Sequence, residues 1–388
     1  MSNNPTSTPA DAPAYIDQLL SRALKAGASD AHFEPVAKGM EVRLRIDGLL
    51  QTVEKLPEDL GRSAVLRLMV MGQLLTYRLD IPQEGRIRLP AITPGSSHDL
   101  DLRLAIMPVA HGLRAVIRLP APNAPLHQNG GSTAAEGATS GLAPLGLPAQ
   151  SRDALERFAR ADAGMLLVTG PAGSGKTTTI YALLEHIATT SPGLSIISLE
   201  DPIERLVTGI TQIEVAPHGQ MTYERAIKSI LRQDPQVLML GEIRDAATAS
   251  LAIQAALSGH RLIATFHAGD PATAIQRLLE MGLEPYQITS SLFGVLAQRL
   301  VRRLAPAASA KTPALSTDMP KYKGRVPIAE FGEMSDAVRA AVLARADASA
   351  LRNIFNRTPG HMTLRQIAET YVTSHITDKI EILRVLGE

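Results

Sequence analysis

Residues 14–26 (AYIDQLLSRALKA) place Ile16, Leu19, Leu20, Ala23 and Leu24 at helical spacing, and Gly27 follows as a stop. Residues 40–53 change period. Met40, Val42, Leu44 and Ile46 fall on one face, Glu41, Arg43, Arg45 and Asp47 on the other, and Asp47-Gly48 supplies a tight turn, which predicts a hairpin. Pro57 opens a second helix carrying Leu60, Val65, Leu68 and Met69. Strand-like pieces follow at 85–89, 99–106 and 113–119. Residues 14–120 therefore read as a small α+β domain with an antiparallel sheet, preceded by a polar, proline-rich tail over 1–13.

From residue 151 onward the rhythm is strand, then helix, repeated. GMLLVTG, LSIISLED, QVLMLGEI and RLIATFH are apolar runs of strand length. TTTIYALLEHIA, TYERAIKSILRQ and AATASLAIQAALS between them carry helical periodicity. Such alternation predicts an α/β core over 151–304, a mostly parallel sheet covered on both faces. Residues 325–388 read as a helical C-terminal region, on the strength of DAVRAAVLARA and TLRQIAETYV.

Composition marks the boundaries. Residues 121–150 contain one charged residue, Glu136, amid Gly, Pro, Ala, Ser and Thr, and read as a flexible linker. A second stretch poor in charge leads to a linker assignment for 305–324. At 388 residues and 45% hydrophobic, the chain has enough apolar surface for two cores. Lys plus Arg total 39 against 38 for Asp plus Glu, which argues against nucleic-acid binding through bulk charge. Cysteine is absent, which excludes disulfides, thiol nucleophiles and cysteine zinc sites. The N-terminus lacks the pattern of a secretory signal, and no run approaches a membrane-spanning length. The expectation is a cytoplasmic protein with no direct membrane insertion.

Four polar stretches carry the chemistry. VTGPAGSGKTTT fits G-x-x-x-x-G-K-T, after an apolar strand and at the start of a helix. Its Gly170, Pro171, Ala172, Gly173, Ser174, Gly175, Lys176, Thr177 and Thr178 form the expected phosphate cradle. Lys176 is expected at the β/γ-phosphates of ATP and Thr177 at Mg2+. Glu200 and Asp201 end the next strand, at the edge where open α/β sheets bind ligands. Glu242 ends the third and is placed to orient or deprotonate a water. Asp245, just before AATAS, reads as a helix N-cap or first-turn acid. His267 ends the fourth strand, as a γ-phosphate sensor or hydrogen-bond relay.

Together these stretches resemble the secretion ATPase superfamily, in its type II secretion and type IV pilus assembly branch. GPAGSGKTTTIYA is similar to its Walker A box, SLEDPIE to its acidic box, and ILRQDPQVLMLGEIRDAATASLAIQAALSGH to its Walker B region. HRLIATFHAGDPATAIQRLLEMG is similar to its histidine box. GASDAHFEP, VRLRIDG, PQEGRI and AHGLRAVIRL resemble its N-terminal domain, and AQRLVRRL and GRVPIAE its C-terminal part. The resemblance implies a RecA-like P-loop core preceded by a PAS-like α+β domain. It implies Glu242 as general base, with a glycine where other nucleotide enzymes place aspartate. It also implies Glu200 or Asp201 near Mg2+ through water, and His260 and His267 as the matching histidines. Transition-state charge would be met by N-terminal arginines, for which Arg86, Arg103, and Arg114 or Arg118 are candidates; Arg205 is a further one.

As implied partners the family supplies a homo-hexamer, an inner-membrane platform protein and a cytoplasmic-side adaptor, with peripheral association to the inner membrane. The chain departs from the family in four places. Its zinc element cannot form without cysteine, HAGD stands in the histidine box, and the 121–150 linker is longer than the family's usual connection. The sequence also begins close to the first predicted helix, so the extension that docks many relatives to a membrane partner is expected to be missing. Three other readings remain at this point: a pilus retraction ATPase, a nucleotide-dependent scaffold with little turnover, and a nucleic-acid translocase.

Overall fold

A computed structural model describes residues 11–89, 100–119, 141–215, 221–305 and 321–387. They fall into two compact units, one within Met1–Thr133 and the other within Ala134–Glu388.

In the first unit, α1 (Ala12–Lys25) is N-capped by Asp11, whose carboxylate accepts from the Ala14 amide at 2.9 Å. Tyr15, Ile16, Leu19, Leu20 and Ala23 form its buried stripe. The predicted hairpin is β2 (Gly39–Ile46) and β3 (Leu49–Leu56), and α2 (Glu58–Met71) starts after Pro57. With β1 (Asp30–Val36), β4 (Gln83–Leu89), β5 (Leu100–Val109) and β6 (Gly112–Arg118) they form an antiparallel sheet of order β3-β2-β1-β6-β5-β4. The periodicity does not announce β1. It is central, with Asp30, Ala31, His32 and Phe33 all buried, so apolar and polar positions do not alternate by exposure.

The second unit is built on a sheet of order β13-β12-β7-β11-β10-β8-β9. Its strands are β7 (Gly164–Thr169), β8 (Ile196–Glu200), β9 (Thr211–Glu214), β10 (Val237–Leu240), β11 (Arg261–Phe266), β12 (Leu292–Leu304) and β13 (Tyr322–Glu333). All neighbours are parallel except β12 and β13. Successive strand residues serve opposite faces. Met165 and Leu167 join the core with α5 (Tyr223–Ile230), α6 (Ala246–Leu257) and α7 (Pro271–Glu280), whereas Leu166 and Val168 pack with α3 (Ala149–Ala159) and α4 (Lys176–Thr190). A short helix, α8 (Pro285–Ser291), leads into β12.

Two sequence boundaries are corrected. The helical region expected over 325–388 begins at α9 (Asp336–Leu343), because Tyr322–Glu333 is a strand whose Val326, Ile328 and Phe331 pair across to β12. Then follow α10 (Ala348–Arg357), α11 (Leu364–Thr373) and α12 (Lys379–Leu386), the last two packed on β12 and β13. Most of the expected linkers, namely 121–140 and 306–320, lies outside the described residues, as does most of the N-terminal tail. The end of the first linker belongs to the core, since Leu142 and Leu147 are buried against α3 and α4 residues.

Candidate active site

β7 runs straight into the glycine-rich loop. Gly170, Gly173 and Gly175 hold φ of 148°, 73° and 88°, a region that side-chain-bearing residues avoid, so the motif's spacing is a backbone requirement. Gly175 also has no room for a side chain, since a Cβ there would stand 2.7 Å from the Gln298 amide nitrogen. Pro171, Ala172, Gly173 and Thr178 are exposed, Ser174 is buried, and Lys176 opens α4. The Lys176 ammonium donates to the Gly170 and Pro171 carbonyls at 2.8 and 3.0 Å. Burial lowers its pKa from the usual lysine range, and the Glu242 charge partly restores it. Phosphate oxygens would offer the ammonium a better counter-charge than two carbonyls. Loop, lysine and helix N-terminus thus fit a nucleotide's phosphates.

The other strand ends converge on the same edge. Leu240 stands beside Leu199 and Ala264 in register, which sets Gly241 next to Glu200 and Thr265. The Gly241 amide donates to the Leu199 carbonyl at 2.7 Å and Ile243 to Thr265 at 3.0 Å, carrying the sheet past the strand and fixing Glu242. The Glu242 carboxylate is held from both sides. His267 Nε2 is 2.5 Å from Oε1, and Arg244 Nε donates to Oε2 at 2.6 Å, while Arg244 Nη1 also lies 3.6 Å from Asp201. Asp245 caps α6 by accepting from the Thr248 amide at 2.7 Å.

Gly241 has a steric explanation. A Cβ there would lie 2.7 Å from the Tyr223 hydroxyl and 3.2 Å from the Leu199 carbonyl. An aspartate in this place would collide with the strand beside it. Burial, with Asp201 next in effect, pushes the Tyr223 hydroxyl up to about 12, so it remains a neutral donor beside these carboxylates.

Glu200 is 3% exposed, and its carboxylate accepts from Ser198 Oγ at 2.6 Å, Gln212 Nε2 at 3.0 Å and the Tyr181 hydroxyl. Those three donors allow a buried charge one strand away from Glu242. Tyr181, Ser198 and Gln212 were not identified from the sequence, because nothing local marks a tyrosine on α4 as a partner of a strand-end glutamate.

His260, at the other end of β11, uses Nδ1 to donate to the Ala255 carbonyl at 2.8 Å and closes the end of α6; a full strand separates it from His267. Arg205 pairs with Glu185 at 2.7 Å and stacks on Tyr181. Among the described residues no cluster of three acidic, histidine or cysteine side chains is arranged to hold a metal. Thr177, the residue expected at Mg2+, is the second residue of α4, directly after Lys176.

In the first unit, strand register aligns Arg86, Arg103, Arg118, Asp30 and Arg45 in one row across the sheet. Asp30 pairs with Arg118 at 3.2 Å and Arg45 at 3.3 Å, and Arg114 pairs with Glu34 at 2.9 Å. Arg103 is exposed between two arginines, and among the described residues no carboxylate pairs with it.

The family model described as "Type II/IV secretion system protein" matches residues 9–384. The chain is 39% identical to type II secretion system protein HxcR of Pseudomonas aeruginosa, over 95% of this chain and 76% of the relative. It is 37% identical to type II secretion system ATPase E of Vibrio cholerae, over 96% of this chain and 75% of the relative. The structure of the Yersinia pseudotuberculosis ATPase DotB superposes with a TM-score of 0.72 at 20% identity, covering 99% of this chain and 97% of the other, a likeness of fold.

Proposed function

The chain belongs to the type II/IV secretion system protein family, and on that premise we propose how it works as an ATP-hydrolysing motor of secretion or pilus assembly. The observation that carries the reading is the meeting of the phosphate loop, Glu200, Glu242 and His267 at one edge of one sheet. Lys176 and the loop amides bind the phosphates of ATP. Thr177 holds Mg2+, with Glu200 or Asp201 acting through water; the ion, when bound, neutralises charge on the phosphates. Glu242 receives the proton of the attacking water, and His267 and Arg244 orient its carboxylate. Among the arginines, Arg103 is the one carried forward as the partner of transition-state charge, because Arg118 and Arg114 already serve carboxylates.

Beyond the single chain, we carry forward a homo-hexameric ring at the cytoplasmic face of the inner membrane, acting on a platform protein and joined by a cytoplasmic-side adaptor. Among the described residues no helix is long and apolar enough to cross a membrane, which suits attachment through partners. Steady-state ATP turnover tests the catalytic reading. A wild-type rate no higher than that of Glu242→Gln would overturn it, and light scattering with bound nucleotide tests the ring.

A further inference from the structure

AQRLVRRL, the stretch of β12 that resembles the family's C-terminal part, has no role in the site as described so far. β12 lies beside β7 with Ala297 opposite Thr169, so the next two residues reach the phosphate loop. Gln298 is 2% exposed. Its Nε2 donates to the Ser174 carbonyl at 2.8 Å, and its Oε1 accepts from Thr179 Oγ1 at 2.8 Å. One side chain thus ties the middle of the loop to the first turn of α4. It engages the Ser174 carbonyl from the sheet side, leaving the loop amides for phosphate.

Arg299 turns the other way and ties β12 to the loop after His267. Nη1 donates to the Gln298 carbonyl at 2.9 Å, close to Gly170, and Nη2 donates to the Gly269 carbonyl at 3.0 Å, two residues past His267. The loop after His267 is otherwise held from its far side. Arg277 bonds the His267 carbonyl, and Arg352 bonds Asp270, the N-cap of α7, at 3.1 Å. Arg299 is the member of this set tied to the phosphate loop, through Gln298, whose carbonyl it holds and whose side chain holds Ser174. It is half-buried and, among the described residues, has no ion-paired carboxylate; Asp270 and Glu330 act on it only at longer range. Its charge bears on Lys176, so two cations flank the loop, and arriving phosphate would relieve both.

We propose that Arg299 is a positioning residue that couples the phosphate loop to the loop carrying His267, so that phosphate binding steadies the histidine in its contact with Glu242. The proposal rests on the ATPase reading of this site. A planar guanidinium can hold two carbonyls at once, which an ammonium cannot do with fixed geometry.

Hydrogen–deuterium exchange of the whole chain, with ADP and with a non-hydrolysable ATP analogue, reads the coupling directly. In the wild type both nucleotides should slow exchange over 170–178 and over 267–273. Arg299→Ala should keep the first protection and lose the second, with ADP affinity within about threefold and kcat down about tenfold. Arg299→Lys should not restore kcat; rescue by lysine would show that charge alone is needed and would overturn the coupling. An alanine variant with wild-type kcat, or one losing both protections equally, would also overturn it. Should Arg299→Ala fail to fold, Arg299→Lys carries the same comparison. A wild type that neither binds nor turns over ATP would sink the ATPase reading and this inference with it, whereas an active wild type with an unaltered Arg299→Ala sinks this inference alone.

Discussion

His267 Nε2 stands 2.5 Å from Glu242 Oε1, so the ends of two adjacent strands, β11 and β10, share one carboxylate. On the proposed reading, the histidine's task is to fix the direction of that carboxylate. Glu242→Gln should lower kcat by roughly 10²–10⁴-fold while ATP still binds. His267→Asn should cost about tenfold in kcat with KM for ATP nearly unchanged. Steady-state kinetics beside equilibrium nucleotide binding separates the two. Loss of ATP affinity in Glu242→Gln would move Glu242 from chemistry to binding.

Gly241 tests whether the missing strand-end aspartate is a matter of space. Gly241→Ala sets a methyl 2.7 Å from the Tyr223 hydroxyl and should destabilise the second unit by about 1–3 kcal/mol. Adding Tyr223→Phe should recover part of that loss, since the hydroxyl oxygen is the nearest atom. Thermal unfolding of the single and double variants decides it; an unshifted midpoint for Gly241→Ala would show that the space can open.

Arg103 lies between Arg86 and Arg118 in strand register and lacks a paired carboxylate among the described residues. Arg103→Ala should lower kcat by roughly 10²-fold or more without loss of folded structure. Arg118→Ala should act mainly on stability, because Arg118 offsets the charge of Asp30, whose side chain is 10% exposed. Circular dichroism and ATPase rates on both variants check this, and equal rates for Arg103→Ala and wild type would remove Arg103 from the reaction.

Acid should loosen the C-terminal helices first. Burial alone would raise the Glu381 carboxyl, but hydrogen bonds from Arg384 and Arg302 outweigh it and hold the pKa below the usual glutamate range. A depressed carboxylate pKa contributes stability above the unfolded value, and that stability is lost as pH falls through the lower folded one. Glu381→Gln should therefore cost about 3 kcal/mol near neutrality, because it strands two arginines. The gap between wild type and variant should narrow below about pH 4.5. Urea unfolding at several pH values measures that gap; a gap independent of pH would contradict the ion-pair account.

Much of this site was legible along the chain because its chemistry is contiguous. The phosphate loop needs φ values open to glycine at set intervals, a lysine, and a helix starting at once, and all of that is local. The strand ends at Glu200, Glu242 and His267 were legible for a similar reason, since a parallel sheet aligns the ends of its apolar runs. The β13 strand was missed because Arg325–Val326–Pro327–Ile328 alternates only briefly and its partner, β12, lies across a segment of low charge.

Partnership was the part that needed the fold. That Gly241 must be small follows from Tyr223 on another helix, and Glu200 is tolerable in the core because Tyr181, Ser198 and Gln212 reach it. The arginine row is a product of strand register, and the reach of Gln298 and Arg299 to two loops is a product of strand order. Backbone conformation answers to near neighbours in sequence, so motifs of φ and hydrogen-bonding type can be read along the chain. Which side chains face one another depends on packing between distant segments, and that is decided only when the sheet closes and its helices settle on it.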